Sequence, residues 1–584
     1  MPTPRRADVV MVGLGCSGSI MAHELAQADL RVVGLERGPR YTLEEFGDAH
    51  DELRNSIRMA MSPTLDKQPL TWRPDRHTPA RLLPWVTATL SNRASAPWAT
   101  IPLAGNPLFM PPSLGVGGGT IHWACWSWRF LPDEFRMRSA VIEHLGKQAL
   151  PPGSNIVDWP ISYDDLEPHY DRVEYIMGVS GKAGNIKGAI QDGGNPFEGP
   201  RSREFPLPPL RPSPASPRFA AAAKELGLHP FPSPAQILSQ DYDGRKACVY
   251  CGHCRDYGCH VGAKGSDFLV HRALATGNLT IQTDAVAYRV ERRHGRATAV
   301  LYYDGAGNEQ RVEGDIIILG AYALENARLL LLSDINGNGM VGKYYMTHNY
   351  GWMNALIDDE RTNIFAGPAV GGHAVDDYNG FDLDRGPYSF LQGSPIMFFG
   401  GDIQAIEGVS NIPPGVPTWG QGYKDWIRRN FSHVIGLYSQ TSSLPSEEHF
   451  VDLDPQVRDP FGLPALRITH RWTEHETAAV RWLNEKKTAL FQAMGARTIW
   501  NAPIAPPYNI STHEVGITRM GEDPATSVAN KYGQSHELPN LFILGGGLFP
   551  TYGGYNPTET IQALTYLSAD YIKKEVQGGG SLAR

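Results

Sequence analysis

Four of the six cysteines in this 584-residue chain fall in one short stretch, CVYCGHCRDYGCHVGAKGS, at Cys248, Cys251, Cys254 and Cys259. Thiolates spaced C-x2-C-x2-C-x4-C can wrap one face of an iron–sulfur cluster; the run differs by one residue from the ferredoxin pattern C-x2-C-x2-C-x3-C-P and lacks its proline. A structural four-cysteine zinc site stays open, although such sites ordinarily use two separated C-x2-C knuckles. Local disulfides are a third reading, weakened because each member is too near its neighbours to close a useful loop. No C-x-x-C-H occurs, so the chain carries no c-type haem of its own.

A second chemical signal lies at the N-terminus. Asp8-Val-Val-Met-Val-Gly reads as a short apolar strand, Gly13-Leu-Gly15-Cys-Ser-Gly18 as a tight turn, and the residues from Ser19 as an amphipathic helix. A second strand, Arg31-Val-Val-Gly-Leu, ends at Glu36, 18 residues after the last glycine. Strand, turn, helix, strand and terminal acid together form a dinucleotide-binding fingerprint. The glycines let backbone approach a pyrophosphate at the helix N-terminus, and the acid accepts a ribose hydroxyl. A second glycine cluster, Gly117, Gly118 and Gly119, marks another place where backbone must pass close to something.

The elements that must position these groups follow a mixed α/β pattern. Residues 48–110 are polar and proline-rich and read as a surface excursion. A capped helix is predicted after Asp158-Trp-Pro-Ile-Ser, and the proline-rich residues 205–234 connect to the cysteine run. Leu279-Thr-Ile-Gln-Thr and the strand from Ala297 flank an Asp304-Gly turn in a predicted β-meander. A buried parallel strand from Asp315 then leads into a leucine-rich helix from Leu324. Residues 342–500 are rich in aromatics and short strands. A net charge of −8, a pI near 6.2 and no basic block exclude a nucleic-acid footprint. No apolar run reaches the ~18 residues that would span a bilayer. The start of the chain enters a core strand too soon for a cleavable signal, and Arg5-Arg6 precedes nucleotide-binding glycines rather than an export segment. No internal repeat is visible.

In this order the chain resembles the glucose–methanol–choline (GMC) oxidoreductase family over nearly its whole length. Within it the likeness is greatest to flavoprotein subunits of bacterial sugar, sugar-acid and polyol dehydrogenases. The stretches that carry it are GLGCSGSIMAHELAQADLRVVGLERGP, VGGGTIHWACWSWRFLPDEFRMRS, the cysteine run, RGPYSFLQGSP, PPGVPTWG, THEVGITRMGEDPATS and LFILGGGLFPTYGGYNPTETIQALTY. The resemblance implies an α/β (α+β) fold: a Rossmann-like FAD-binding domain built from discontinuous segments, and an antiparallel-sheet substrate domain. Residues 1–340 would form most of the FAD domain, with the cysteine-rich insert at 245–265. Residues 341–500 would be mainly the substrate domain, 501–576 would complete the FAD domain with the catalytic pair, and 577–584 would be a flexible tail. A departure occurs where the family's usual Ser/Thr-Pro before the leucine run is replaced by Glu325-Asn326-Ala327.

The resemblance also implies roles. Gly13, Gly15, Gly18, Glu36 and Arg37 would hold the adenosine diphosphate half of FAD. Gly117, Gly118 and Gly119 would lie beside the flavin, and His122, followed by Trp123, would be a candidate for covalent attachment of FAD. His513 would take the hydroxyl proton of an alcohol as hydride leaves for flavin N5, and Asn556 would orient the same oxygen. Pro557 and Thr558 open a helix whose N-terminus would face the flavin pyrimidine, with the Thr558 and Glu559 side chains capping it. The four cysteines would hold a cluster, of [3Fe–4S] type by resemblance, passing electrons to a cytochrome or quinone-linked acceptor. Implied partners are a small signal-bearing subunit and a cytochrome c subunit, with a periplasmic or membrane-associated place through them. A cytoplasmic biosynthetic oxidase or dehydrogenase of a glycoside, such as an aminoglycoside, is the alternative.

Overall fold

The computed structural model describes residues 5–48, 69–82, 108–109, 115–254, 258–357, 361–403, 412–501, 509–510, 513–579 and 582. Most of the excursion at 48–110 therefore lies outside the described residues.

The N-terminal fingerprint folds as its pattern requires. Strand Arg6–Val12 runs parallel to Val32–Leu35 on one side and to the second half of Glu309–Leu319 on the other. Leu279–Gln282 extends the sheet beyond Val32–Leu35, and Leu541–Ile543 pairs with the end of Glu309–Leu319, both parallel. Both faces are covered, so the strands are apolar on both sides. Val9 and Met11 pack against helices Cys16–Gln27, Asp267–Ala275 and Thr558–Gln577, while Val10 and Val12 face the other core, as a period of two demands.

Two expectations change. Leu279–Gln282 is a parallel strand of this sheet and not part of the meander, which is built from Val286–Arg293, Arg296–Tyr303 and Glu309–Leu319. A run of four residues does not encode which neighbour it will pair with. Glu309–Leu319 is one strand with two habits: Glu313 lies opposite Ala299 in the antiparallel meander and opposite Arg6 in the parallel sheet. In the tail read as flexible, Leu582 is buried in the cluster beneath the first and last helices.

A second sheet is wholly antiparallel, in the order Thr498–Asn501, Tyr350–Leu356, Val434–Gln440, Ile396–Phe399, His373–Val375, Phe231–Pro232. Its outer face, with Met353, Ala355, Ile435, Leu437 and Phe398, is covered by helix Glu474–Ala493. Its inner face presents Trp352, Tyr438, Met397 and Phe399 to the parallel-sheet half of the molecule. The aromatic richness of 342–500 is thus largely core on both faces. A third sheet joins Phe450–Arg458, Pro464–Thr469, Leu70–Arg73 and Arg81–Leu82.

The segment that departs from the family pattern has a structural reason. The Asn326 amide oxygen accepts the Ala321 N–H at 3.1 Å, and its NH2 donates to Leu319 O at 3.2 Å and Leu544 O at 2.9 Å. One buried side chain thereby ties the ends of two neighbouring parallel strands. Replacing Asn326 with leucine, similar in volume, strands three buried polar groups, and unfolding free energy is expected to fall by about 2–4 kcal/mol. Urea denaturation measures it; an unchanged midpoint would refute the staple.

Candidate active site

The two glycine clusters lie back to back. A Cβ on Gly18 would sit 2.0 Å from Gly13 O, and one on Gly118 2.7 Å from Gly15 Cα, so neither position admits a side chain. Gly119 faces open space, with nothing within 4 Å of where its Cβ would be. Glu36, buried at the end of its strand, accepts the Leu14 N–H at 2.8 Å and the Gly38 N–H at 2.9 Å. Each carboxylate oxygen keeps a second lone pair for a ribose hydroxyl. Arg37 is engaged by Glu325 at 3.5 Å, so the same departing segment also positions this arginine.

Two helices begin inside the protein without a side-chain cap, Cys16–Gln27 after Gly15 and Thr558–Gln577 after Pro557. They pack side by side, and the Cys16 thiol is hydrogen-bonded to Gln562. First-turn N–H groups of a buried helix need acceptors, and the positive dipole end favours an anion. A dinucleotide with a pyrophosphate at one helix and, at the other, an electron-accepting ring that gathers negative charge on reduction answers both needs, so these residues fit FAD. The expected cap from Glu559 is absent. Its side chain is fully buried near Glu174, Arg129 and Ser127, where burial pushes the carboxyl up to about 8. That ionic cluster was invisible in the sequence, because Arg129, Glu174 and Glu559 meet only in the folded chain.

His513 and Asn556 are brought into one region by a third residue that sequence reasoning missed. His513 Nδ1 lies 3.1 Å from Nδ1 of His348, and His348 Nε2 lies 2.8 Å from the Gly553 carbonyl, three residues before Asn556. The Tyr350 hydroxyl is 3.4 Å from the same nitrogen of His513. Burial holds His513 down to about 3, and burial with the neighbouring His513 holds His348 well below the usual imidazole range. Asn556 is 7% exposed, and its amide oxygen has no hydrogen-bond partner among the described residues. Its loop is held from behind: the Glu134 carboxyl, raised to about 8 by burial, accepts the Gly554 N–H and the Gln392 amide at 2.9 Å. The Tyr555 hydroxyl donates to buried Asp376, and its ring stacks on Trp128 at 5.0 Å. His122 ends the short helical turn Gly118–Ile121 within the glycine loop.

The cysteine loop folds around a buried cation. Lys264, 5% exposed, donates to Trp123 O at 2.7 Å and to Cys254 O at 2.6 Å. It therefore bridges the loop of His122 and the cysteine run. Cys125, Cys254, Cys259 and Asp402 all act on it electrostatically, so a fifth cysteine joins the group. All six cysteines are free thiols; Cys125 and Cys254 are buried and Cys251 is exposed. The Cys248 sulfur accepts the Tyr250 N–H and the Cys259 sulfur the Ala263 N–H, each at 3.3 Å. Burial pushes Cys248 up to about 11 and Cys125 up to about 12. Tyr250, Cys125 and Asp402 all take positive φ, of 57°, 76° and 66°, a concentration of strain typical of functional loops. Among the described residues no three His, Cys, Asp or Glu side chains converge on one metal ion. A separate open cleft of about 710 Å3, bordered by Asp158, Asp165, Arg519 and Asp523, holds none of the candidate cofactor, catalytic or metal residues.

Known proteins match this chain along its length. Two family models, both described as GMC oxidoreductase, match residues 159–350 and 445–565. Gluconate 2-dehydrogenase flavoprotein of Pantoea cypripedii is 32% identical, over 98% of this chain and 94% of that protein. The fructose dehydrogenase large subunit of Gluconobacter japonicus is 28% identical, over 98% of this chain and 99% of that protein. Among solved structures, pyridoxine 4-oxidase from Mesorbium loti superposes with a TM-score of 0.58 at 17% identity, over 97% of this chain and 98% of that one. The last is a likeness of fold alone.

The half-buried imidazole at 513, desolvated by its neighbours, couples the site to stability. A histidine with a folded pKa near 3 against 6.5 unfolded contributes stability that is present above pH 6.5 and lost as pH falls toward 3. The urea midpoint is therefore expected to drop between pH 6.5 and 4, less steeply in His513→Asn; parallel slopes for the two proteins would contradict the burial argument.

Proposed function

Because this chain belongs to the GMC oxidoreductase family, we propose that it is an FAD-dependent dehydrogenase of a hydroxyl on a sugar, sugar acid or polyol, delivering electrons through an iron–sulfur cluster to an external acceptor. Support for the substrate class comes from the relatives, which are named for gluconate and fructose. The observation that carries the reaction is the half-buried, neutral imidazole of His513, tied through His348 to the loop of Asn556. FAD, when bound, supplies the hydride acceptor. His513 removes the hydroxyl proton, without which the carbon losing hydride would develop an expensive positive charge. Asn556 hydrogen-bonds the same oxygen and sets its direction.

For the cluster, the chemistry of the donor set is the support. As neutral thiols, the cysteines around Lys264 give its buried ammonium no negative charge, and among the described residues the carboxylate that acts on it is that of Asp402. Thiolates bound to iron would supply negative charge there, and backbone N–H groups already point at two of the sulfurs. Cys248, Cys251, Cys254 and Cys259 remain the proposed ligands, three of them sufficing for a [3Fe–4S] centre. Covalent attachment of FAD through His122, a small signal-bearing subunit and a cytochrome c partner belong to the same reading, as does a periplasmic or membrane-associated place reached through that assembly. Among the described residues no helix is long and apolar enough to cross a membrane.

The test is a panel of D-gluconate, D-fructose, D-glucose and sorbitol with the purified holoenzyme, using a dye acceptor and, separately, oxygen. Dye reduction without peroxide is expected, and His513→Ala should lower kcat by about 10^2- to 10^4-fold; oxygen as the preferred acceptor would favour an oxidase. Iron and acid-labile sulfide should accompany each flavin, and Lys264→Met should lower the reduction potential of the iron centre by removing a buried positive charge beside the cysteines. A preparation with full flavin and no iron would remove the electron relay.

A further inference from the structure

His348 is fully buried, and its place is fixed by backbone pairing. Met346 and Val515 exchange hydrogen bonds, N–H to O distances of 3.1 and 3.0 Å, as an isolated antiparallel bridge. An antiparallel register that matches 346 with 515 also matches 348 with 513, so two histidines 165 residues apart in sequence become side-chain neighbours. The ring of His348 is further held by stacking on Tyr552, with centroids 3.9 Å apart and planes 11° apart.

The donors and acceptors around this ring have one consistent assignment. Gly553 O can only accept, so His348 Nε2 carries a hydrogen. The ring is neutral, because burial and the adjacent imidazole disfavour its charge. Its Nδ1 therefore presents a lone pair to His513 Nδ1 at 3.1 Å. Two lone pairs at that distance would repel, so the hydrogen of His513 sits on Nδ1 and its own lone pair on Nε2. The Tyr350 hydroxyl oxygen, at 3.4 Å, can take a weak share of the same N–H.

We infer that His348 is a positioning residue that locks His513 in the Nδ1–H tautomer and so aims its Nε2 lone pair at the substrate hydroxyl. The inference rests on the reading of His513 as the base. In the step itself the substrate O–H bond breaks and an N–H bond forms at Nε2, while the carbon-bound hydrogen leaves with its electron pair to FAD. The imidazolium that results keeps its Nδ1–H on His348, which stabilises the charge as it forms. The same ring donates to Gly553, so the base and the loop carrying Asn556 share one anchor. Among the described residues, the groups bordering the pair include Tyr552, Tyr350, Gln440 and Tyr438, with Glu514 and Glu134 acting on Tyr552. Burial raises both carboxyls, Glu134 to about 8.

The experiment is 15N-histidine NMR of the holoenzyme, assigned with His513→Ala, together with stopped-flow reduction of FAD by whichever of D-gluconate and D-fructose reduces the wild type. His513 should show a protonated Nδ1 and an unprotonated Nε2. In His348→Leu this pattern should be lost and the reduction rate should fall roughly tenfold to a hundredfold, with flavin absorbance retained and the melting temperature lowered because the Gly553 carbonyl loses its donor. His348→Asn, whose amide oxygen can accept the same N–H, should recover most of the rate. A protonated Nε2 in the wild type, or a wild-type rate in His348→Leu, would overturn the inference, and if the leucine variant does not fold, the wild-type spectrum still decides. A wild-type rate in His513→Ala would instead overturn the base reading and leave the tautomer assignment standing.

Discussion

Two helices that start in the protein interior with uncapped first turns impose the main constraint on this fold. Such ends are costly unless acceptors meet their N–H groups. Here the first helix is aimed by the strand and glycine turn before it, and the last is packed alongside it. Much of the rest exists to keep this pair in place. The parallel sheet supports the first helix, Asn326 staples the strand end beneath it to the strand Leu541–Ile543, and buried Glu134 and Asp376 fix the loop that enters the last helix. A ligand with a pyrophosphate and an electron-accepting ring completes what the fold leaves unsatisfied.

The antiparallel sheet closes the other side. Its inner face carries Trp352, Tyr438 and Phe399 toward the same interior, while its outer face is buried by one long helix. The strand Tyr350–Leu356 is entered directly from His348, so the sheet that would cover substrate also delivers the ring that orients the base. Protonation is thereby decided by architecture: an imidazole enclosed among aromatic rings and a second imidazole is disfavoured in its charged form and keeps a lone pair at physiological pH.

The cysteine loop is attached to this machinery by one ammonium. Lys264 reaches both Trp123 and Cys254, linking the loop of His122 to the sulfurs through two hydrogen bonds. Buried charge at such a junction is expensive when the neighbouring groups are neutral. The cation therefore gives a physical reason for anionic sulfur on the side where electrons would leave.

The sequence by itself determined what depends on local pattern. The strand–glycine–helix–strand run ending at Glu36, the helix that opens after Asn556, the helix capped by Ser162 and the four-cysteine run could all be read because period, turn chemistry and spacing are local. Local pattern did not say that Leu279–Gln282 joins the parallel sheet, or that Glu559 turns inward to Arg129 and Glu174 instead of capping its helix. Nor could it bring Trp123 and Cys125 to Lys264 and the cysteine run, or His348 to His513. These are pairings across one hundred or more residues, set by strand register and by burial. The residue types that could do chemistry were written in the chain; which protons they hold and which charges they face were decided only by tertiary structure, because both depend on the neighbours that folding supplies.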